Sequence, residues 1–418
     1  MQNLSANEIK AMIAQSLDTL PLQNKRVLVI IPDSTRSMPL PLFFRVLVQE
    51  LRVRAKQSAF LIALGTHPPM REDAMLNMLG LTRAERAALY GDVEIFNHAW
   101  QDPNALVTLG EISSDEIARL SAGMLRQRVP VRLNKMVLEY DHLLICGPVF
   151  PHEVVGFSGG NKYFFPGIAG QDIIDFTHWL GALITSYKII GTKHTPVRAV
   201  IDRAAQMIPT PAHALCSVVT HEGVAGLFFG APQDAWSRAA DLSAQIHIQW
   251  LDKPYARVLS ILPAMYDELW VGAKGMYKTE PIVADGGEVI LYAPHLQEIR
   301  VVHGALIRQV GYHVRDYFVK QWDKFKNVPW GVLAHSTHLR GIGTFENGSE
   351  QPRINVTLAT QIPREICHAV NLGYCSPVGM DVHAWMNDKD TLVIPRAGEY
   401  LYRVRSSQTS DVQESSEV

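Results

Sequence analysis

Short apolar runs alternate with amphipathic stretches along the first half of the chain. RVLVIIP (26–32), SAFLIAL (58–64), VEIFN (93–97) and HLLICGPV (142–149) are rich in branched residues and read as buried strands. Between them, LPLFFRVLVQELR (40–52) and MREDAMLNMLG (70–80) carry helical spacing, as do Met12, Ile13 and Leu17 near the N-terminus. Strand–helix alternation of this kind predicts an α/β fold built on a doubly wound parallel sheet, whose ligands collect at the carboxyl ends of the strands. A second unit begins near Lys253 and Pro254 and repeats the alternation. ARVLSILPA (256–264) leads into a helical stretch through Tyr277, and EVILYAP (288–294) follows a turn at Asp285, Gly286 and Gly287. WGVLAH (330–335), INVTLATQI (354–362) and TLVIPRAG (391–398) continue the series of strand-like runs. The expected division is a larger domain over 1–252, a smaller α/β domain over 253–405, and a polar, acidic, disordered tail over 406–418.

Composition narrows the classes. At 418 residues the chain exceeds one compact core, which agrees with two domains. It is 47% hydrophobic and 19% charged with a net charge of −2, so electrostatics offer no case for nucleic acid or an anionic membrane as partner. No apolar run approaches the roughly 18 residues of a membrane span, and the N-terminus lacks the apolar core of a signal peptide. The four cysteines (Cys146, Cys216, Cys367, Cys375) form no CxxC pair and read as reduced thiols of a cytoplasmic protein. Nothing in the composition speaks to oligomeric state.

Three motifs sit where a parallel sheet collects ligands. Asp33-Ser34-Thr35-Arg36 follows the first run, Gly65-Thr66-His67 the second, and Pro151-His152 the fourth. The first reads equally as an anion-holding loop or as a set of helix N-caps. A lone loop histidine such as His67 is more often plain surface, but its placement matches that of the DSTR loop. PHEVVGFSGGNKYFFPG (151–167) puts Lys162 after a glycine pair, where backbone can approach a ligand closely. It lacks the GxxxxGK[ST] pattern of a nucleotide P-loop, because Asn161 precedes Lys162 and Tyr163 follows it. His178 lies on a helical stretch, AGQDIIDFTHWLGALI, and is either a half-buried helix residue or a metal ligand with no HxxxH or HExxH partner. In the second unit Lys274 stands in YDELWVGAKGMYKTEP, reaching an anionic substrate or simply solvent. His335 and His338, in HSTHLRGIGTF, are expected at a strand end.

Together these pieces resemble the lactate racemase family, which uses a nickel-pincer nucleotide. The resemblance spans most of the chain. Its anchors are DSTR (33–36), GTH (65–67), PH (151–152), GFSGGNK (156–162), His178 and AKG (273–275), and the spacing of His152, Lys162 and His178 discriminates best. It implies that 1–252 is the cofactor-binding catalytic domain and 253–405 a substrate-capping domain, with the active site in the cleft between them. It further implies that Lys162 carries the cofactor (a pyridinium-3,5-bisthiocarboxylic acid mononucleotide with nickel) as a thioamide, that His178 completes the nickel shell, and that cofactor-synthesis enzymes are partners. His67 and His152 match the two family bases; Asp33, Ser34, Thr35 and Arg36 match the cofactor-binding loop, with Arg36 also near substrate; Lys274 matches the lysine that pairs with the substrate carboxylate. The implied activity is inversion at C2 of a 2-hydroxy acid by proton-coupled hydride transfer.

One departure stands out. The lactate enzymes carry a Tyr-Gln pair before the substrate lysine, where this chain has Trp270 and Val271. Loss of a polar contact changes substrate preference, so a larger or differently decorated acid than lactate is expected, with Trp270, His335 and His338 as further substrate contacts. Two rival readings are a nicotinamide-type oxidoreductase of 2-hydroxy acids, which the missing GxGxxG disfavours, and a non-catalytic binding protein for an anionic metabolite.

Overall fold

The computed structural model describes residues 3–299 and 304–405, so the tail expected to be disordered lies outside the described residues. These residues form two compact units. The first holds the residues up to Phe150, Phe157–Thr177 and Lys193–Gln245; the second holds Pro151–Gly156, His178–Thr192 and the residues from Ile246 onward. The chain therefore leaves the first unit twice before its final departure, and His152 and His178 belong to the second unit while His67 and Lys162 belong to the first.

In the first unit, helix α1 (Ala6–Asp18) starts at a capping box, Ser5 with Glu8, and buries Ile9, Ile13 and Leu17. Strands β1 (Arg26–Ile31) and β2 (Gln57–Ile62) are each buried at five of six positions, which is why they read as continuous apolar runs rather than alternating ones. Between them α2 (Leu40–Arg52) presents Phe43, Phe44, Leu47 and Leu51 to the same core. With β3 (Glu94–Asn97), β4 (His142–Pro148), β5 (Ala212–Thr220) and β6 (Gly223–Gly230) they make a six-stranded sheet in the order β6-β5-β4-β1-β2-β3. Every neighbouring pair is parallel except β5 and β6, an antiparallel pair at one edge. Pairing of Ile31 with Ile62 ends β1 and β2 level, so the loops that follow them lie side by side. Helix α3 (Gln171–Ile184) carries His178.

The second unit has an all-parallel sheet of β7 (Tyr255–Ile261), β8 (Val283–Ala293), β9 (Asn355–Thr360), β10 (Gly373–Tyr374) and β11 (Thr391–Ile394), in the order β10-β9-β8-β7-β11. Val258, Val289, Leu291, Val356 and Leu358 from its central strands build the core. Two sequence expectations change here. The turn at Asp285, Gly286 and Gly287 is a bulge inside β8: Tyr255 pairs with Val283, and Arg257 already pairs with Glu288. WGVLAH is not a strand but the start of helix α4 (Trp330–Arg340), so His335 and His338 stand on a helix and not at a strand end. Pro329 occupies the N-cap, and every residue from Val332 to Leu339 is buried. A helix with no solvent face carries no polar stripe, and its periodicity is therefore silent in sequence.

Candidate functional site

The DSTR loop does not cap a helix, since α2 begins only at Leu40 with Pro39 as its N-cap. Asp33 instead turns the loop on itself: Oδ1 accepts from the backbone N of Thr35 at 3.1 Å and from Thr35 Oγ1 at 2.6 Å. Its other oxygen, Oδ2, faces Nδ1 of His67 in a short hydrogen bond. Asp33 is only 6% exposed. Burial pushes its carboxyl up, but His67, by charge and by hydrogen bond, outweighs that together with Arg36 and Thr35, and holds the group well below the carboxylate range. An ionised Asp33 accepts the Nδ1 proton of His67, which leaves the Nε2 lone pair of that ring as the base. Arg36 lies over the Phe150 ring at 5.7 Å, and Ser34 is exposed. The His67 loop is itself pinned, because Gly65 N donates to Gly167 O at 2.9 Å.

Lys162 sits on a single 3-10 turn, Gly160–Tyr163, that follows Gly159. Gly159 and Gly160 have φ of 86° and 56°, and a Cβ on either would run into Val149 or Trp236 respectively. Around this turn the protein has placed a rigid brace. Arg198, 3% exposed, donates to Gly159 O at 3.2 Å and to Phe157 O, and its guanidinium lies 4.1 Å from the Trp236 ring. Trp236 Nε1 donates to Ser158 O at 2.9 Å, and Asn161 Nδ2 donates to Asp202 Oδ1 at 2.9 Å. Burial lowers the Arg198 pKa to about 10, so it stays charged at neutral pH. Downstream of the turn in sequence, Ala169 O accepts from His98 Nε2 at 2.9 Å, while His98 Nδ1 faces Asn134 Nδ2 at 3.3 Å. Arg198 and His98 have no motif in the sequence; only the fold shows that they hold this loop.

In the second unit, the segment 151–154, the end of α3 and helix α4 pack together. Gly181 of α3 lies under Val154, where a Cβ would stand 2.9 Å from the Val154 carbonyl. Trp179, next to His178, stacks on Trp322 at 5.2 Å and meets Trp330, the first residue of α4, at 6.5 Å. His152 is buried, with Nδ1 accepting from Val154 N at 3.1 Å and lying 3.2 Å from the Glu153 carboxylate. Those two contacts ask different things of one nitrogen: the amide calls for a lone pair, and the carboxylate favours a proton there. The amide geometry describes the neutral ring, and Glu153 stabilises the charged one. Glu153 was not among the candidates, although it stands in the sequence beside His152.

His338 is 4% exposed, and neither ring nitrogen has a hydrogen-bond partner among the described residues. Burial lowers its pKa to about 4, with Glu153 acting to raise it and His178 to lower it, so both side chains lie within electrostatic reach of the His338 ring. His335 instead has protein neighbours: its ring stacks on Trp270 at 3.8 Å, and its Nε2 is 3.5 Å from Tyr312 Oη. Lys274 Nζ lies 4.9 Å from the centre of the Tyr266 ring. Val271 is buried in the apolar core of this unit. The C-terminal end of α4 is fixed by Glu280, fully buried, whose Oε1 accepts from Ile342 N at 2.8 Å. Among the described residues no group of three or more His, Cys, Asp or Glu side chains is arranged to hold a metal ion. No helix among them is long and apolar enough to cross a membrane.

Comparison with known proteins gives this arrangement a relationship. Residues 5–189 match the family described as lactate racemase N-terminal domain. Lactate racemase from Lactiplantibacillus plantarum is 24% identical over 287 residues, covering 67% of this chain and 62% of the relative. Lactate racemase from Thermoanaerobacterium thermosaccharolyticum is 24% identical over 303 residues, covering 70% of this chain and 66% of the relative. Each match thus spans less than two-thirds of the curated enzyme's length. A crystal structure of a protein from Thermotoga maritima superposes with a TM-score of 0.89 at 33% identity, covering 97% of this chain and 99% of that one. The lactate racemase apoprotein from Thermoanaerobacterium thermosaccharolyticum superposes with a TM-score of 0.74 at 19% identity, over 96% and 93% of the two chains, and shares the fold. Over the matched residues 5–189 the chain belongs to the lactate racemase family, and its fold is that of a lactate racemase.

Proposed function

We propose that this protein is a racemase or epimerase that inverts C2 of a 2-hydroxy acid with a nickel-pincer nucleotide carried on Lys162. The observation that carries the reading is the Asp33–His67 pair, an ionised buried carboxylate that sets the tautomer of a histidine at the carboxyl ends of adjacent parallel strands. A carboxylate that fixes the tautomer and orientation of the ring is the arrangement a histidine base uses. The cofactor fits the residues present. Its lysine would stand on a turn braced from several sides, and His178 would be a ligand whose companions come from the cofactor, in keeping with the lack of a three-residue protein donor set among the described residues. When bound, the nickel-pincer nucleotide supplies an acceptor and donor of hydride for C2.

The chain's own residues supply the rest. His67 takes the proton of the substrate hydroxyl at Nε2, and the developing imidazolium is stabilised by Asp33. His152 serves the opposite configuration, with Glu153 stabilising its charged form. Two bases are needed because one cannot reach the hydroxyl in both configurations. Arg36 and Lys274 hold the carboxylate by charge. Inversion at C2, followed by chiral separation across a panel of 2-hydroxy acids with loaded enzyme, tests this reading: inversion that is lost in His67→Ala and His152→Ala supports it, and a panel without inversion refutes it.

A further inference from the structure

We propose that His338 is a specificity-determining residue that hydrogen-bonds a hydroxyl on the side chain of the substrate, so that the preferred 2-hydroxy acid carries a hydroxylated tail. The inference rests on the racemase reading above and names the substrate class of that site.

Helix α4 offers four consecutive polar residues to a fully buried environment, and three of them are satisfied by protein. Ser336 Oγ donates to Gly311 O at 2.7 Å and accepts from His313 N at 3.0 Å. Thr337 Oγ1 donates to Ala334 O at 2.9 Å. His335 has its stack on Trp270 and its contact to Tyr312. His338 alone has both ring nitrogens buried and without partners among the described residues. A buried polar group left unmade carries a desolvation cost, so proteins seldom retain one without use. Its surroundings give the use: Glu153, next to the candidate base His152, and His178, the candidate metal ligand, both lie within electrostatic reach of the ring.

The chemistry of the ring then selects among tails. A neutral imidazole presents one donor and one acceptor, and a hydroxyl answers to either. An aliphatic tail would leave both nitrogens unmade. A second carboxylate can only accept, and it would be brought toward Glu153. Sites that hydrogen-bond a substrate hydroxyl reject the analogue lacking it more strongly than apolar pockets reject an added group.

The test uses pairs of acids matched in size: glycerate against 2-hydroxybutanoate, and 2,4-dihydroxybutanoate against 2-hydroxypentanoate. With loaded enzyme, kcat/KM for C2 inversion should favour the hydroxylated member of at least one pair by about tenfold or more. His338→Leu should abolish that preference, His338→Asn should retain part of it, and His338→Leu should melt no lower than the wild type. Calorimetric binding of the same pairs should show the same preference and the same loss. Equal handling of both members of both pairs, an unchanged preference in His338→Leu, or a marked fall in its melting temperature would overturn the proposal. The two readings fail separately: absence of inversion with every acid counts against the racemase, and absence of a binding preference counts against His338.

Discussion

The Asp33 carboxylate and Nδ1 of His67 are hydrogen-bonded partners supplied by the loops that follow two adjacent parallel strands. Neither residue is sufficient alone. Asp33 without His67 would be a buried charge, and His67 without Asp33 would be a loop histidine with either tautomer open to it. Their pairing converts two loops into a base.

Asp33→Asn should keep the shape of the loop and offer the wrong group to Nδ1. Turnover should fall by roughly 10²–10⁴-fold with a small change in KM, as when the orienting acid of a catalytic histidine is neutralised. The same carboxylate contributes to stability with a defined sign. Its folded pKa is depressed, so its contribution is present above the unfolded value of about 3.9 and is lost as pH falls through the folded one. Denaturation of wild type and Asp33→Asn should therefore differ at neutral pH and converge in strong acid.

Arg198→Leu removes the brace under the Lys162 turn and leaves the carbonyls of Phe157 and Gly159 buried without their donor. A loss on the order of 3 kcal/mol is expected from urea denaturation. A loss within the ordinary scatter of surface mutations would show that the brace does not hold the loop.

His98 is fully buried, and desolvation, opposed by its bond to Ala169, lowers its pKa to about 4. The unfolded chain binds this proton first, so stability should decline as pH falls from about 6.5 toward 4, by up to about 1.4 kcal/mol per pH unit for this one group. His98→Gln should flatten the measured slope. His142, lowered to about 4 by burial and by His213, adds a slope in the same direction that His98→Gln leaves in place.

Glu280 behaves in the opposite sense. Burial raises its pKa against the pull of Ile342 N and Arg353, so the folded state holds its proton longer than the unfolded chain does. Its effect is a fall in stability as pH rises above the unfolded value of about 4.3. Glu280→Gln keeps an oxygen for Ile342 N and should abolish that slope, leaving a protein at least as stable as the wild type near neutrality.

Much of the first unit was legible because its strands are short, apolar and separated by amphipathic helices. The DSTR and GTH loops could be placed at strand ends on that basis, and the glycine pair before Lys162 marked a turn. What could not be read was adjacency. Nothing in the order of residues says that β1 lies between β2 and β4, and that neighbourhood is what joins Asp33 to His67. Helix α4 was misread because burial on every side erased its period, and with it the placement of His335 and His338. The assignment of His152 and His178 to the second unit follows from two excursions of the chain, for which a linear pattern has no signal. Arg198 and Glu280 act through backbone groups distant in sequence, so their residue types alone announced nothing.

The most direct test of the central claim is the intact mass of the protein produced together with the cofactor-synthesis enzymes. The account predicts an added mass equal to the nickel-pincer nucleotide joined through a thioamide, mapped to Lys162 and absent from Lys162→Ala. An unmodified chain, made under conditions that load a lactate racemase in parallel, would contradict it.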